Sequence, residues 1–142
     1  MKFEKFFKSV GTHGQIVKRS ESDSWLLCGG VSMRIPRGVN NLGVSVDPDP
    51  LFNAIVSSVS DDDFLVLKEA ILPYPDGKAN DIVRVFETDL GDRVGISNRD
   101  FGLLEKSDRP TYLEVEDENN ITHKILVVRD FDDNVIGYIT GE

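Results

Sequence analysis

The 142-residue chain carries 25 Asp and Glu against 16 Lys and Arg, is 39% hydrophobic and has one cysteine. This length fits a single domain over residues 1–142, the apolar content is enough for a core, and one cysteine excludes an internal disulfide. No apolar run approaches the roughly 20 residues that span a bilayer, so we predict no membrane contact. Because the N-terminus lacks a continuous apolar signal region, we expect a cytoplasmic protein.

The first half of the chain predicts two helices around a group of short strands. Apolar residues spaced i, i+3, i+4, i+7 from Phe3 to Val10 indicate a helix that Gly11 ends. A loop rich in Pro, Gly and Asn follows from Arg34, with one short strand considered at Gly43–Val46. Asp49 then precedes Pro50, a pattern typical of a helix start. The strand signals before the loop form a meander at Gln15–Arg19, Ser24–Cys28 and Val31–Ile35.

The second half is predicted to consist mostly of strands joined by short turns. A turn is expected at 73–77, and Ser97 can cap a third short helix. Short turns imply antiparallel pairing. The predicted fold class is therefore α+β and β-rich, an antiparallel bent sheet or partly open barrel of about eight to nine strands with two or three short helices. The expected strands are Phe64–Ile71, Ile82–Thr88, Arg93–Ser97, Tyr112–Glu116, Thr122–Arg129 and Val135–Thr140.

Charge is divided unevenly along the chain. Residues 1–46 hold seven Lys and Arg against three Asp and Glu, a net charge of +4, while residues 47–142 hold nine against twenty-two, a net charge of −13. Such a division favours a binding module with two differently charged sides. The predicted basic face is Lys2, Lys5, Lys8, Lys18, Arg19, Arg34 and Arg37. The predicted acidic, protein-binding face is Glu114, Glu116, Asp117, Glu118, Asp130, Asp132 and Asp133.

One segment offers candidate metal ligands. Asp130, Asp132 and Asn134 alternate as the oxygen ligands of a calcium loop do. However, Val135 stands where that loop needs Gly, and Gly141 stands where it needs a bidentate Glu. A hairpin turn between two strands explains the same residues, so we predict neither a metal nor any other cofactor.

Catalytic motifs are not recognised in the sequence. His13 and His123 have no zinc-type spacing, and both are predicted to lie at the surface. Cys28 is predicted to be a buried strand thiol, and no Gly-rich loop leads into a helix as a phosphate site requires. We therefore predict a protein that is not an enzyme and has no evident small-molecule substrate. Direct nucleic-acid binding is not expected either, because the net charge of −9 opposes phosphate contact.

Four segments together resemble small uncharacterised proteins of tailed bacteriophages and prophages: Phe3–Val17, Ser24–Gly30, Asp81–Phe86 and Gly102–Asp108. The resemblance covers most of the chain but includes no motif of known function, so it transfers no site residue. It implies a phage gene neighbourhood and the cytoplasm of a bacterial host. Structural components outnumber defence inhibitors in such neighbourhoods, so incorporation into a virion is the first expectation and inhibition of a defence protein the second.

Three functions remain open at this stage. The first is a non-catalytic protein-binding or assembly module, foremost a virion-associated structural protein that binds a protein partner or itself. The second is an acidic nucleic-acid mimic that inhibits a host defence nuclease of the anti-CRISPR or anti-restriction type. An uncharacterised enzyme is the disfavoured third, and the acidic surface could also serve solubility alone.

Overall fold

The computed structural model describes residues 1–11, 13–39, 43–61, 63–70 and 83–141, which form three helices and ten strands. The helices are α1 (Phe3–Val10), α2 (Pro50–Ser58) and α3 (Asn98–Phe101). The strands are β1 (Gln15–Ser20), β2 (Asp23–Cys28), β3 (Val31–Arg34), β4 (Leu65–Val66), β5 (Lys68–Glu69), β6 (Val83–Glu87), β7 (Arg93–Ser97), β8 (Arg109–Glu116), β9 (Thr122–Arg129) and β10 (Val135–Thr140).

These strands form two antiparallel sheets. The large sheet has seven strands in the order β1-β2-β3-β10-β9-β8-β4, and the small sheet has three in the order β5-β6-β7. Pairing of β3 with β10, with Met33 opposite Gly137, joins the N-terminal meander to the C-terminal hairpins. Because β1 and β4 lie at the edges, the large sheet is open. The predicted α+β, β-rich fold with a bent antiparallel sheet is confirmed.

The core has two layers because the large sheet is covered on both faces. On one face, Leu126 and Val128 of β9 pack with α1, α3 and the small sheet. On the other face, Ile125 and Val127 pack with α2, whose Phe52 enters an aromatic cluster with Trp25 and Tyr138. The continuous apolar run of β9 is explained by this burial on both sides.

The two longer helices begin and end as their sequences predict. The Asp49 carboxylate accepts a hydrogen bond from the Phe52 amide at 2.7 Å, and Pro50 occupies the first turn of α2. Helix α1 buries Phe6 and Val10 against the sheet and ends at Gly11, whose φ is 59°. Local chemistry thus sets the start of α2, through Asp49 and Pro50, and the end of α1, through Gly11.

The segment predicted as one strand at Phe64–Ile71 is two short strands. Val66 pairs with β8 in the large sheet, whereas Lys68 pairs with β6 in the small sheet, and the buried Leu67 lies between them. The chain therefore passes from one sheet to the other at this point, which brings the total to ten strands. Over Gly43–Val46 a single bridge, from Ser45 to Ile16, replaces the strand considered there. The turn predicted at 73–77 lies outside the described residues.

The two sheets approach closely at Gly141. A Cβ atom there would meet the Val94 side chain and lie 2.8 Å from the Gly95 carbonyl oxygen. The Gly141 amide donates to the Lys124 carbonyl at 2.7 Å. The end of β10 is therefore held against both β7 and β9, and only glycine fits without displacing backbone atoms.

Candidate functional site

The predicted basic residues lie on α1, on β1, and at the end of β3 with the loop after it. Several have internal partners. The Asp23 carboxylate lies 3.1 Å from Arg19 Nη1 and 3.3 Å from Arg34 Nε, and Lys18 pairs with the exposed Glu21 at 3.5 Å. The Lys5 ammonium donates to a backbone carbonyl at 3.2 Å. Within the described part of the chain, four members make no ion pair: Lys2, Lys5, Lys8 and Arg37.

The predicted acidic residues fall into two groups. Because β9 has eight residues with a rise of about 3.3 Å each, its two ends are about 25 Å apart. The acidic residues thus form two separate patches instead of one continuous face. The first patch, near the β8–β9 turn, is Glu114, Glu116, Asp117 and Glu118. The second patch, in the β9–β10 turn, is Asp130, Asp132 and Asp133.

The β9–β10 turn, Asp130–Asn134, exposes an aromatic ring, and we call it the Phe131 turn. Asp130 Oδ1 accepts hydrogen bonds from the amides of Asp132 and Asn134, at 2.9 and 3.0 Å. Asp133 adopts a positive φ of 62°, as the predicted hairpin chemistry allows. At its tip, the Phe131 side chain is 85% exposed. The turn is therefore well ordered by its own hydrogen bonds, yet its largest apolar side chain points into solvent.

Two arginines fix the Phe131 turn to the rest of the fold. Arg109 Nη1 lies 2.7 Å from an Asp133 carboxylate oxygen at the surface. Arg129 is 1% exposed, donates to the Asp133 carbonyl at 3.1 Å and to the Ser60 carbonyl, and lies 4.1 Å from the centre of the Phe64 ring. The turn cannot swing away without breaking contacts of a buried cation.

A groove of about 360 Å³ with a mixed polar and apolar lining lies beside the turn, and we call it the Arg37 groove. Arg34 and Arg37 stand at its edge, and both are exposed. Asp130 also lines it, but Phe131 does not. The apolar side chains that line it come from three distant parts of the chain: Met1, Phe3, Met33, Ile35, Pro36 and Ile136. A partly apolar groove and an exposed aromatic ring are therefore neighbours on one surface.

The candidate metal ligands Asp130, Asp132 and Asn134 have the geometry of a hairpin turn. The carboxylate of Asp130 faces backbone amides and the Asn134 side chain instead of converging with that of Asp132. Over the residues that the structure describes, no three His, Cys, Asp or Glu side chains are grouped to hold a metal ion.

His13, Cys28 and Asp49 line a second groove, of about 270 Å³. A catalytic arrangement of these types would need Cys28 as nucleophile, His13 as base and Asp49 as the acid that orients the histidine, each in hydrogen-bond reach of the next. His13 is exposed in a loop, Cys28 packs against the core layer that contains α1, and Asp49 caps α2. Hydrogen bonds that would link the three are not found among the described residues.

The β8–β9 turn is stabilised by a side-chain hydrogen bond that the sequence did not reveal. His123 was predicted to be exposed, but it is half-buried and its Nε2 lies 2.8 Å from Asp117 Oδ2. This hydrogen bond, together with those from the Ile121 and Asn119 amides, lowers the pKa of Asp117 below its ordinary 3.8. The carboxylate of Asp117 is thus committed to its own turn.

The Arg37 groove could not be found from sequence patterns because its walls come together only in the tertiary structure. The exposed ring of Phe131 did have a signal. It is the one aromatic residue in the stretch from Asp130 to Asn134, which the sequence assigns to a turn. Aromatic side chains in polar turns are natural candidates for binding contacts.

Comparison with known proteins found no match to a family model, to a curated protein or to a solved structure. None of the described helices has the length and apolar character needed to cross a membrane.

Proposed function

We propose that this chain is a non-catalytic protein-binding module that acts in assembly. The observation that supports the proposal is that an exposed aromatic ring, Phe131, and the Arg37 groove lie next to each other on one surface. Aromatic and arginine side chains are enriched where proteins bind each other, and apolar pockets receive such anchors.

The exposed Phe131 ring contributes little to the stability of the isolated chain, because most of its apolar surface stays in contact with water after folding. Asp130 and Arg129 nevertheless hold the turn in one conformation. A turn that is already ordered loses less conformational entropy when it binds a partner. An ordered turn with an exposed aromatic ring is therefore suited to recognition. This combination supports binding more strongly than the overall acidity does, because acidity alone could serve solubility.

A bacteriophage virion is the setting we propose for this assembly role, on the strength of the sequence resemblance. The acidic-mimic alternative has less support from the geometry. A nucleic-acid mimic needs a continuous array of free carboxylates, whereas the acidic residues form two separate patches. Several are also engaged internally: Asp117 with His123, Asp133 with Arg109, and Asp130 with its own turn.

Particle composition tests the proposal. We expect mass spectrometry of purified particles to find many copies of the wild-type chain and few copies of the variant Arg34→Glu/Arg37→Glu. The matched control is Lys68→Glu/Arg99→Glu, which changes the charge equally at exposed positions on β5 and α3. This control should be incorporated as the wild type is.

Two outcomes would contradict the proposal. Absence of the wild-type chain from particles overturns the virion role. Equal incorporation of the groove variant and the control overturns the assignment of the Arg37 groove as the binding surface.

A further inference from the structure

We propose that the partner at this surface is a second copy of the chain. In this arrangement two copies form a two-fold symmetric dimer, and Phe131 of each copy enters the Arg37 groove of the other. The inference rests on the proposed function and names the occupant of its binding surface.

The chemistry of the two features is complementary. Phe131 is followed by Asp132, whose carboxylate makes no hydrogen bond or ion pair within the described residues. The groove combines apolar side chains with Arg37, which likewise makes no ion pair there, and with Arg34, which shares Asp23 with Arg19. Asp130 also lines the groove, but its carboxylate accepts hydrogen bonds from the amides of its own turn. An apolar ring beside an unpaired carboxylate therefore matches the apolar side chains of the groove and the unpaired guanidinium of Arg37 beside them.

The groove of one copy cannot be filled by that copy's own Phe131. Asp130 lines the groove, and Phe131 is the next residue. The two hydrogen bonds to Asp130 Oδ1 and the contact of Arg129 with the Asp133 carbonyl hold the turn so that the ring faces solvent. The ring therefore requires a groove from another molecule.

Because the ring and the groove are adjacent on each copy, a symmetric dimer is favoured over an open chain of copies. A two-fold rotation that places one ring in the partner's groove also places the partner's ring in the first groove, so both features are used at once. A heterologous contact would leave a ring open at one end of a chain of copies and a groove open at the other end. Since each copy carries a net charge of −9 and the copies therefore repel each other, we expect a dissociation constant in the micromolar range.

Sedimentation velocity tests the anchor. We expect the wild-type chain to shift from monomer to dimer as its concentration rises, and Phe131→Ala to raise the dissociation constant about a hundredfold or more, because each dimer loses two aromatic anchors. Leu90→Ala is the matched control, since Leu90 is also an exposed apolar residue, 76% accessible, in another hairpin turn. It should leave the dissociation constant unchanged.

A charge exchange tests the pairing itself. Arg37→Glu alone places Glu against Asp132, and Asp132→Lys alone places Lys against Arg37, so each variant should remain monomeric. An equimolar mixture contains one Asp–Arg pair and one Lys–Glu pair in each heterodimer, and it should dimerise as the wild type does. Circular dichroism spectra identical to the wild type show that neither variant is misfolded.

The inference is overturned if the wild-type chain stays monomeric up to about 1 mM. A dimer that does not form at this concentration has a dissociation constant too high for a specific complex. It is also overturned if the mixed variants stay monomeric while the wild type dimerises. The proposed function is judged separately by incorporation into particles. A monomeric chain whose groove variant is excluded from particles would retain the function and refute the self-pairing.

Discussion

The buried guanidinium of Arg129 gives the sharpest test of how the Phe131 turn is held. Replacement by Met removes the donors that reach the carbonyls of Asp133 and Ser60 and the cation over the Phe64 ring. Hydrogen bonds from a charged group contribute about 1.5–3 kcal/mol each, and Met recovers part of this by apolar packing. We therefore expect Arg129→Met to lower the free energy of unfolding by about 2–4 kcal/mol.

Urea unfolding followed by circular dichroism measures this loss, provided that the slope with denaturant is unchanged. Arg109→Met is the control, because Arg109 makes a surface ion pair to the same Asp133, and exposed pairs contribute about 0–1 kcal/mol. Equal losses for the two variants would refute the claim that the buried arginine anchors the turn.

Three further predictions concern the rest of the fold. Gly141→Ala should lower the free energy of unfolding by about 1–3 kcal/mol in the same urea assay, since its Cβ would lie 2.8 Å from the Gly95 carbonyl oxygen; an unchanged midpoint would contradict the close approach. Because the folded pKa of Asp117 lies below its ordinary 3.8, its charged form stabilises the fold above about pH 4, and this contribution is lost as the pH falls through the folded value. Asp117→Asn should therefore lose less stability than the wild type between about pH 5 and pH 2, and parallel profiles would argue against the lowered pKa of Asp117. Burial raises the pKa of Tyr138 to about 12, so the wild type should lose stability as the pH rises from about 10 toward 12, and Tyr138→Phe should lose less; identical alkaline denaturation of the two proteins would be inconsistent with that burial.

Local chemistry explains what the sequence predicted correctly. Asp49 and Pro50 start α2 because a carboxylate accepts a free amide and proline needs no partner there. Asn120 and Asp133 both adopt positive φ, with values of 60° and 62°, in the two turns assigned from their Asn and Asp content. Each of these features depends only on neighbours within four residues.

Features that depend on distant residues were not predicted. Leu67 divides a continuous strand pattern because two different sheets meet there, and no local signal marks that crossing. Nothing in the sequence around Arg129 distinguishes a buried arginine from an exposed one at the end of a strand. The Arg37 groove needs Met1 and Ile136 in contact with the same space, although 135 positions separate them in the sequence.

Photo-crosslinking from position 131 tests the central claim most directly. A benzophenone side chain would replace the Phe131 ring. This benzophenone variant, at natural isotope abundance, would be mixed with an equal amount of isotope-labelled wild-type chain before irradiation. We predict crosslinked peptides that join position 131 of one isotope form to the groove residues Met33 or Ile136 of the other. Crosslinks only within one isotope form, or only to surfaces away from the groove, would contradict the claim that this ring and this groove bind each other between molecules.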